Sequence, residues 1–295
     1  LVNNAQREHL EFMHTVDAVA AENGSVFTSL PAHGTAVFPA GDVYTPLWRE
    51  LAGPRLYLSF GADDADVRLL QAAWSDNAWA VQAHTPLGKL SFTLHIAGRH
   101  NVMNALAATA CAVAAGVPLD AIAQGLSGFT PVKGRSRAFS VDHGERSITV
   151  VDDTYNANPD SMRAAIDVLA ALPGPRLLVV GDMGEVGDQG PLFHAEAGAH
   201  AKTRGIELVF ALGDQSAHVV DSFGAAGVHH SGIDSLNAAV VAALPEVGSV
   251  LVKGSRFMKM ERVVAAITAT QQQKQASEEN TMPVTSIAVA GGARC

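Results

Sequence analysis

Residues 152–162 read Asp-Asp-Thr-Tyr-Asn-Ala-Asn-Pro-Asp-Ser-Met, a run of carboxylate, hydroxyl, phenol and amide groups. A chain that only had to turn would need a Gly or an Asp there. This density of polar groups suits a bound polar ligand.

Other segments carry related chemistry. In Gly98-Arg99-His100-Asn101-Val102-Met103-Asn104, the two asparagines are three apart and share one face of a helix's first turn. Each amide offers a donor and an acceptor, which is what reading an adenine edge takes. The competing reading is that Asn101 caps the helix. Lys133-Gly134-Arg135 sits in a turn after Pro131. Its Arg either clamps phosphate from an interdomain hinge or belongs to a solvated basic turn. Lys253-Gly254-Ser255-Arg256 sets two cations around a Gly that permits close backbone approach. Those charges suit a carboxylate ligand, or they lie free at the surface. Gly181-Asp182-Met183-Gly184-Glu185-Val186-Gly187 spaces its glycines evenly, lacks the GxGxxG order and reads as a strand–helix loop. His9 and His14, five apart on a predicted helix, point roughly 140° away from each other, which argues against a paired-histidine metal site. One His with carboxylates would still suit Mg²⁺. His229-His230 falls on a predicted strand and reads as structural.

The elements that must position these groups follow from periodicity. Ser147-Ile148-Thr149-Val150-Val151 reads as a buried strand. Asn158 and Pro159 fit the cap and first position of the next helix, over 159–172. Strands at 147–151, 176–180, 207–212 and 249–252 alternate with helices at 159–172, 191–204, 215–224 and 234–243. That rhythm predicts a parallel, doubly wound sheet over residues 129–270. In such sheets ligands sit beyond the carboxyl ends of the strands, where three of the polar loops fall. Upstream, a helix over 5–22 precedes strands near 25–29, 35–38, 55–60, 66–72 and 89–96. Helices at 101–115 and 119–126 follow, so residues 1–128 form another α/β unit, incomplete at its front. Residues 271–295 read as a disordered tail.

The 295 residues suffice for about two domains. A net charge of −9 argues against nucleic acid as main partner, because phosphate tracking needs a basic stripe. Cys111 and Cys295 form no metal or disulfide pattern. No apolar run is long enough to span a membrane. The chain opens on Leu1 without a methionine and reads as the interior of a longer protein.

Taken together, these segments resemble the Mur ligases over about residues 3–267. The matching motifs are Asn4-Ala5-Gln6-Arg7-Glu8-His9, Gly98 to Ala105, Gly134-Arg135, Asp152 to Met162, Gly181 to Glu185 and Lys253 to Arg256. Asp-Asp-Thr-Tyr-Asn-Ala-Asn-Pro is particular to members that add D-alanyl-D-alanine. The resemblance implies part of a central ATPase domain over 1–128 and a Rossmann-like C-terminal domain over 129–270. It implies ATP and Mg²⁺ as cofactors and UDP-N-acetylmuramoyl-tripeptide and D-alanyl-D-alanine as substrates. The tripeptide carboxylate would be phosphorylated and the dipeptide amine would attack the acyl phosphate. A cytoplasmic monomer is the implied setting. By resemblance His9 would bind Mg²⁺, and Asn101 and Asn104 would contact adenine. Arg135 and Asp153 would hold phosphate and ribose, while Tyr155, Asn156 and Asn158 would shape the nucleotide and dipeptide pocket. Lys253, Ser255 and Arg256 would face the dipeptide, with Lys253 and Arg256 catalytic.

Two departures stand out. No G-x-x-x-x-G-K-[ST] phosphate loop occurs in the chain, so the 295 residues alone are expected to be inactive. Where the family often carries a carbamylated lysine, this chain reads Val19-Ala20-Ala21-Glu22-Asn23-Gly24, and Glu22 is the candidate substitute for its charge.

Overall fold

The computed structural model describes residues 1–75, 78–143 and 146–269. The expected tail at 271–295 lies outside them. Two sheets organise the chain. The first has the order β1 (Thr35–Pro39), β2 (Leu56–Gly61), β3 (Val67–Ser75), β4 (Ala78–Thr85), β5 (Gly88–Leu94). Its first three strands run parallel, and β3, β4 and β5 form an antiparallel meander. Helix α4 (Arg99–Ala114) packs Val102, Leu106 and Ala110 against this sheet, and α5 (Leu119–Ser127) adds Ile122.

The second sheet has six strands in the order β10-β9-β8-β11-β7-β6. They are β6 (Arg137–His143), β7 (Arg146–Asp153), β8 (Arg176–Gly181), β9 (Leu208–Leu212), β10 (Gly227–His230) and β11 (Ser249–Lys253). Strands β8 and β11 are buried apolar runs because helices cover both faces. Helices α6 (Pro159–Ala170), α7 (Gly190–Thr203) and α8 (Ala217–Phe223) enclose one core. Helix α9 (Ile233–Ala243) and a helix at 261–269 enclose the other. The alternation of strands and helices is as expected, with one correction: β6 runs antiparallel to β7, so the sheet is mixed.

The front of the chain departs further from its periodicity. The helix expected over 5–22 is two, α1 (Leu10–Met13) and α2 (Val16–Ser25). His9 and His14 flank α1 with positive φ, and the Thr15 hydroxyl accepts from Ala18 N–H to start α2. The two histidines thus never share a continuous helix, and the angular argument about their faces lapses. Residues 26–29 are turns where a strand was expected, and Phe27 there packs with Phe38 and Trp48. Helix α3 (Thr45–Ala52) and strands β4 and β6 were not anticipated.

Candidate functional site

Parallel β7, β8 and β11 are neighbours, so their carboxyl ends share one edge. Register then sets the chemistry. Lys253 lies directly across from Asp153, and the Nζ donates to Asp153 Oδ2 at 2.7 Å and to the Asn156 carbonyl at 2.8 Å. The Lys253 side chain is 3% exposed. Asp153 Oδ1 accepts from the Ser136 amide and hydroxyl. Asp152 accepts from Gly134 N–H and the Thr154 hydroxyl, and Tyr155 N–H donates to the Gly134 carbonyl. The two aspartates therefore sew the 133–136 turn onto the β7–α6 loop. Gly134 has φ of +81°, and a Cβ there would press on the Tyr155 nitrogen at 3.1 Å.

These loops, the start of α4 and residues 3–6 border a cleft of about 570 Å³, within the range of small-molecule sites. Asn101, Asn104, Arg135, Asp153, Tyr155, Asn156, Asn158 and Lys253 all line it. The Arg135 guanidinium stacks on the Tyr155 ring at 3.9 Å, and among the described residues no carboxylate pairs with it. That leaves an exposed cation at the cleft wall. Asn101 is not the helix cap; Gly98 holds that position with no side-chain cap. Asn101 Nδ2 instead donates to the Ala97 carbonyl, Asn101 Oδ1 accepts from Asn104 Nδ2, and Asn104 Oδ1 accepts from Asn3. Asn158 does cap α6 through a capping box with Ser161.

Three expected residues lie elsewhere. Ser255, 3% exposed, donates to the Ala157 carbonyl and accepts from Gly184 N–H, so its hydroxyl fastens the loops beneath the cleft. Arg256 is exposed and pairs with Glu261. His9 bonds Glu185, with both side chains about half exposed. Among the described residues no three His, Cys, Asp or Glu side chains gather as a metal cage. Glu22 is exposed on α2 and does not border the cleft.

Asp182 and Arg7 stand in motifs quoted above without a role, and His194 in none; all three position the site. Asp182 accepts from Ser216 N–H and Oγ and holds the Gly181–Gly187 loop from below. His194 is fully buried, accepts from Met183 N–H at Nε2 and meets the Gly190 carbonyl at Nδ1. Burial holds its imidazole below the ordinary range, against the Gly190 bond and Asp182. Arg7 bonds Asp160 and Glu196 across the two halves. Burial alone would raise the Asp160 carboxyl, but its bonds from Arg7 bring it below the usual carboxylate range.

Comparison with known proteins accounts for both halves. The family profile described as "Mur ligase middle domain" matches residues 1–112, and "Mur ligase, glutamate ligase domain" matches residues 137–256. The chain is 36% identical over 271 residues to the Escherichia coli K12 UDP-N-acetylmuramoyl-tripeptide–D-alanyl-D-alanine ligase. That match spans 90% of this chain and 59% of the relative. MurF from Acinetobacter baumannii superimposes with a TM-score of 0.81 at 30% identity, over 90% of this chain and 58% of that one. MurF from Thermotoga maritima, solved with ADP, has the same fold at a TM-score of 0.79 and 21% identity, over 92% and 61%. The chain thus spans about three fifths of the curated relatives it matches. With the middle-domain and C-terminal profiles matched in order along it, the chain belongs to the Mur ligase family.

Proposed function

We propose that the cleft between α4 and the β7–α6 loop is the nucleotide and dipeptide part of a ligase. This ligase joins D-alanyl-D-alanine to UDP-N-acetylmuramoyl-tripeptide with ATP. The observation that carries the reading is the cleft's composition. An uncompensated Arg135 stacked on Tyr155 lines one cavity with Asn101 and Asn104. The identity to D-alanyl-D-alanine ligases over nine tenths of the chain supports the substrate assignment.

In this reading Arg135 takes phosphate charge and the Tyr155–Arg135 stack walls the nucleotide. Asn104 presents its free N–H and remaining lone pair to the base, with Asn101 bracing it. Asp153 keeps the Ser136 turn in place, and Lys253 supports Asp153 and the Asn156 carbonyl. Asn156 and Asn158 border the dipeptide side, Ser255 fastens the loops beneath it, and Arg256 stays paired with Glu261 outside it. Phosphoryl transfer asks mainly for such positioning and charge neutralisation. His9 and Glu185 form no complete Mg²⁺ site among the described residues, so no step is derived through that ion.

The test is phosphate release from ATP by the reading frame containing this chain, given UDP-N-acetylmuramoyl-tripeptide with or without D-alanyl-D-alanine. Release should require the dipeptide and fall at least tenfold in Arg135→Ala. The 295 residues alone should release none, since they lack a phosphate loop. Release triggered instead by diaminopimelate or glutamate would reassign the substrate. No release from a folded full-length protein would leave a non-catalytic binding module.

A further inference from the structure

Residues 2–11 run across the cleft with little regular structure, and their bonds go outward to both halves. At one end Val2 is buried in the first sheet's core and its N–H donates to the Val37 carbonyl. Asn3 Nδ2 donates to Asn104 Oδ1 at 2.8 Å. At the other end Arg7 grips the second half. Its backbone N–H donates to Asp160 Oδ2 at 2.8 Å, while Nε and Nη2 donate to Oδ1 at 3.1 and 2.8 Å. Nη1 donates to Glu196 Oε2 at 2.7 Å, and the guanidinium lies 5.1 Å from the centre of the Phe193 ring. Further on, His9 bonds the Glu185 side chain, and Glu11 N–H donates to the Glu185 carbonyl.

We infer that Arg7 is a positioning residue: its lock on α6 and α7 fixes the gap between the two walls of the cleft. Asp160 is in the first turn of α6, next to the Asn158 cap, so the lock acts on the cleft wall itself. The Arg7 and Asp160 side chains are 26% and 25% exposed, so the pair is only partly screened. A fork on one carboxylate plus a bond to a second is stronger and more directional than a lone surface pair. Asp160 at a helix N-terminus is also favoured by the helix dipole. From Val2 to Arg7 the strap is five residues, so its anchors can separate to at most about 18 Å. With Arg7 engaged the two walls stay apposed; with it released the strap keeps the partly buried Leu10 against the second core and the His9 and Glu11 bonds to Glu185, and loses the contacts that reach α6 and α7 by hydrogen bond. The consequence for ligand affinity rests on the nucleotide reading above; the gap itself does not.

Spin labels at Gln124→Cys on α5 and Lys202→Cys on α7, both exposed, would read the gap by pulsed electron resonance. The background is Cys111→Ser and Cys295→Ser. With Arg7 present we expect one narrow distance distribution. Arg7→Gln should broaden it and shift it to longer distances. Arg7→Lys, a point charge without the fork, should not restore the narrow form. ADP affinity should fall by the factor by which the short-distance population falls, because only that population binds. An unchanged distribution in a variant with native circular dichroism overturns the inference. A longer distribution with unchanged ADP affinity upholds the lock and overturns its consequence for ligand binding. If the unsubstituted chain binds no ADP, the nucleotide reading fails and the distances alone decide the lock. Should Arg7→Gln not fold, the Asp160→Asn/Glu196→Gln double variant removes the same partners and must give the same shift.

Discussion

Replacing Asp153 by Asn leaves a charged lysine buried. The Lys253 ammonium has two acceptors, the Asp153 carboxylate and the Asn156 carbonyl, and its side chain is 3% exposed. The carboxylate is better provided for. It also accepts from the Ser136 amide and hydroxyl, and its side chain is 16% exposed. Losing the carboxylate therefore strands the cation more than the reverse. Breaking a buried pair from one side costs about 3–5 kcal/mol, and Asp153→Asn belongs in that range. Lys253→Met leaves a hydrogen-bonded carboxylate and keeps an apolar stem, so about 1–3 kcal/mol is expected. At roughly 3 °C per kcal/mol, the melting temperature should drop by about 10 °C for Asp153→Asn and about half that for Lys253→Met. The double variant should be less destabilised than Asp153→Asn alone, because it removes the stranded charge. Calorimetry on the four proteins completes the cycle. The reasoning is refuted if Lys253→Met is the more damaging single change, or if the two losses simply add.

Other expectations follow from single contacts. Asn158→Ala removes the oxygen that accepts from Ser161 N–H and should cost about 1 kcal/mol in urea unfolding, with no change in slope. Gly198→Ala would drive a Cβ into the Val219 carbonyl oxygen, where α7 meets α8. Backbone must move there, so a loss of about 3 kcal/mol is expected, and an unchanged melting temperature would contradict the close approach. His194 has a folded value below the ordinary 6.5 because burial disfavours its charged form. Above about pH 6.5 both states are neutral and its contribution is complete. As pH falls from there toward the folded value, the unfolded chain takes up the proton first and stability is lost. The decline in urea midpoint between pH 7.5 and 5 should be smaller in His194→Gln, and an identical decline would exclude His194 as its source.

The second half was legible because its strands are apolar runs ended by polar loops, a pattern that survives without knowledge of partners. Leu177–Val180 and Val250–Val252 are buried on both faces, so their hydropathy alone marks them. Strand β6 escaped because Arg137–His143 pairs on one side only and alternates weakly. At the front, the pattern Leu10, Met13, Val16, Val19 suggested one helix. The break at His14 is a matter of backbone conformation and a Thr15 cap, which hydrophobic spacing does not encode. The cleft residues were legible as types at strand ends. Their partners were not: Ser136, Asp182, His194 and Arg7 act through contacts distant in sequence, as in the 153-residue separation of Arg7 and Asp160. Ser255 and Arg256 stand near the cleft in sequence yet are turned to Ala157 and Glu261.

The measurement that bears most directly on the account is photolabelling of this chain with 2-azido-ADP, with the labelled peptide identified by mass spectrometry. The account predicts label within residues 101–108 or 153–158, abolished by excess ADP and strongly reduced in Asn104→Ala and Arg135→Ala. Label on Trp74 or Trp79 beside the neighbouring 330 Å³ cavity, or label that ADP does not displace, would contradict it.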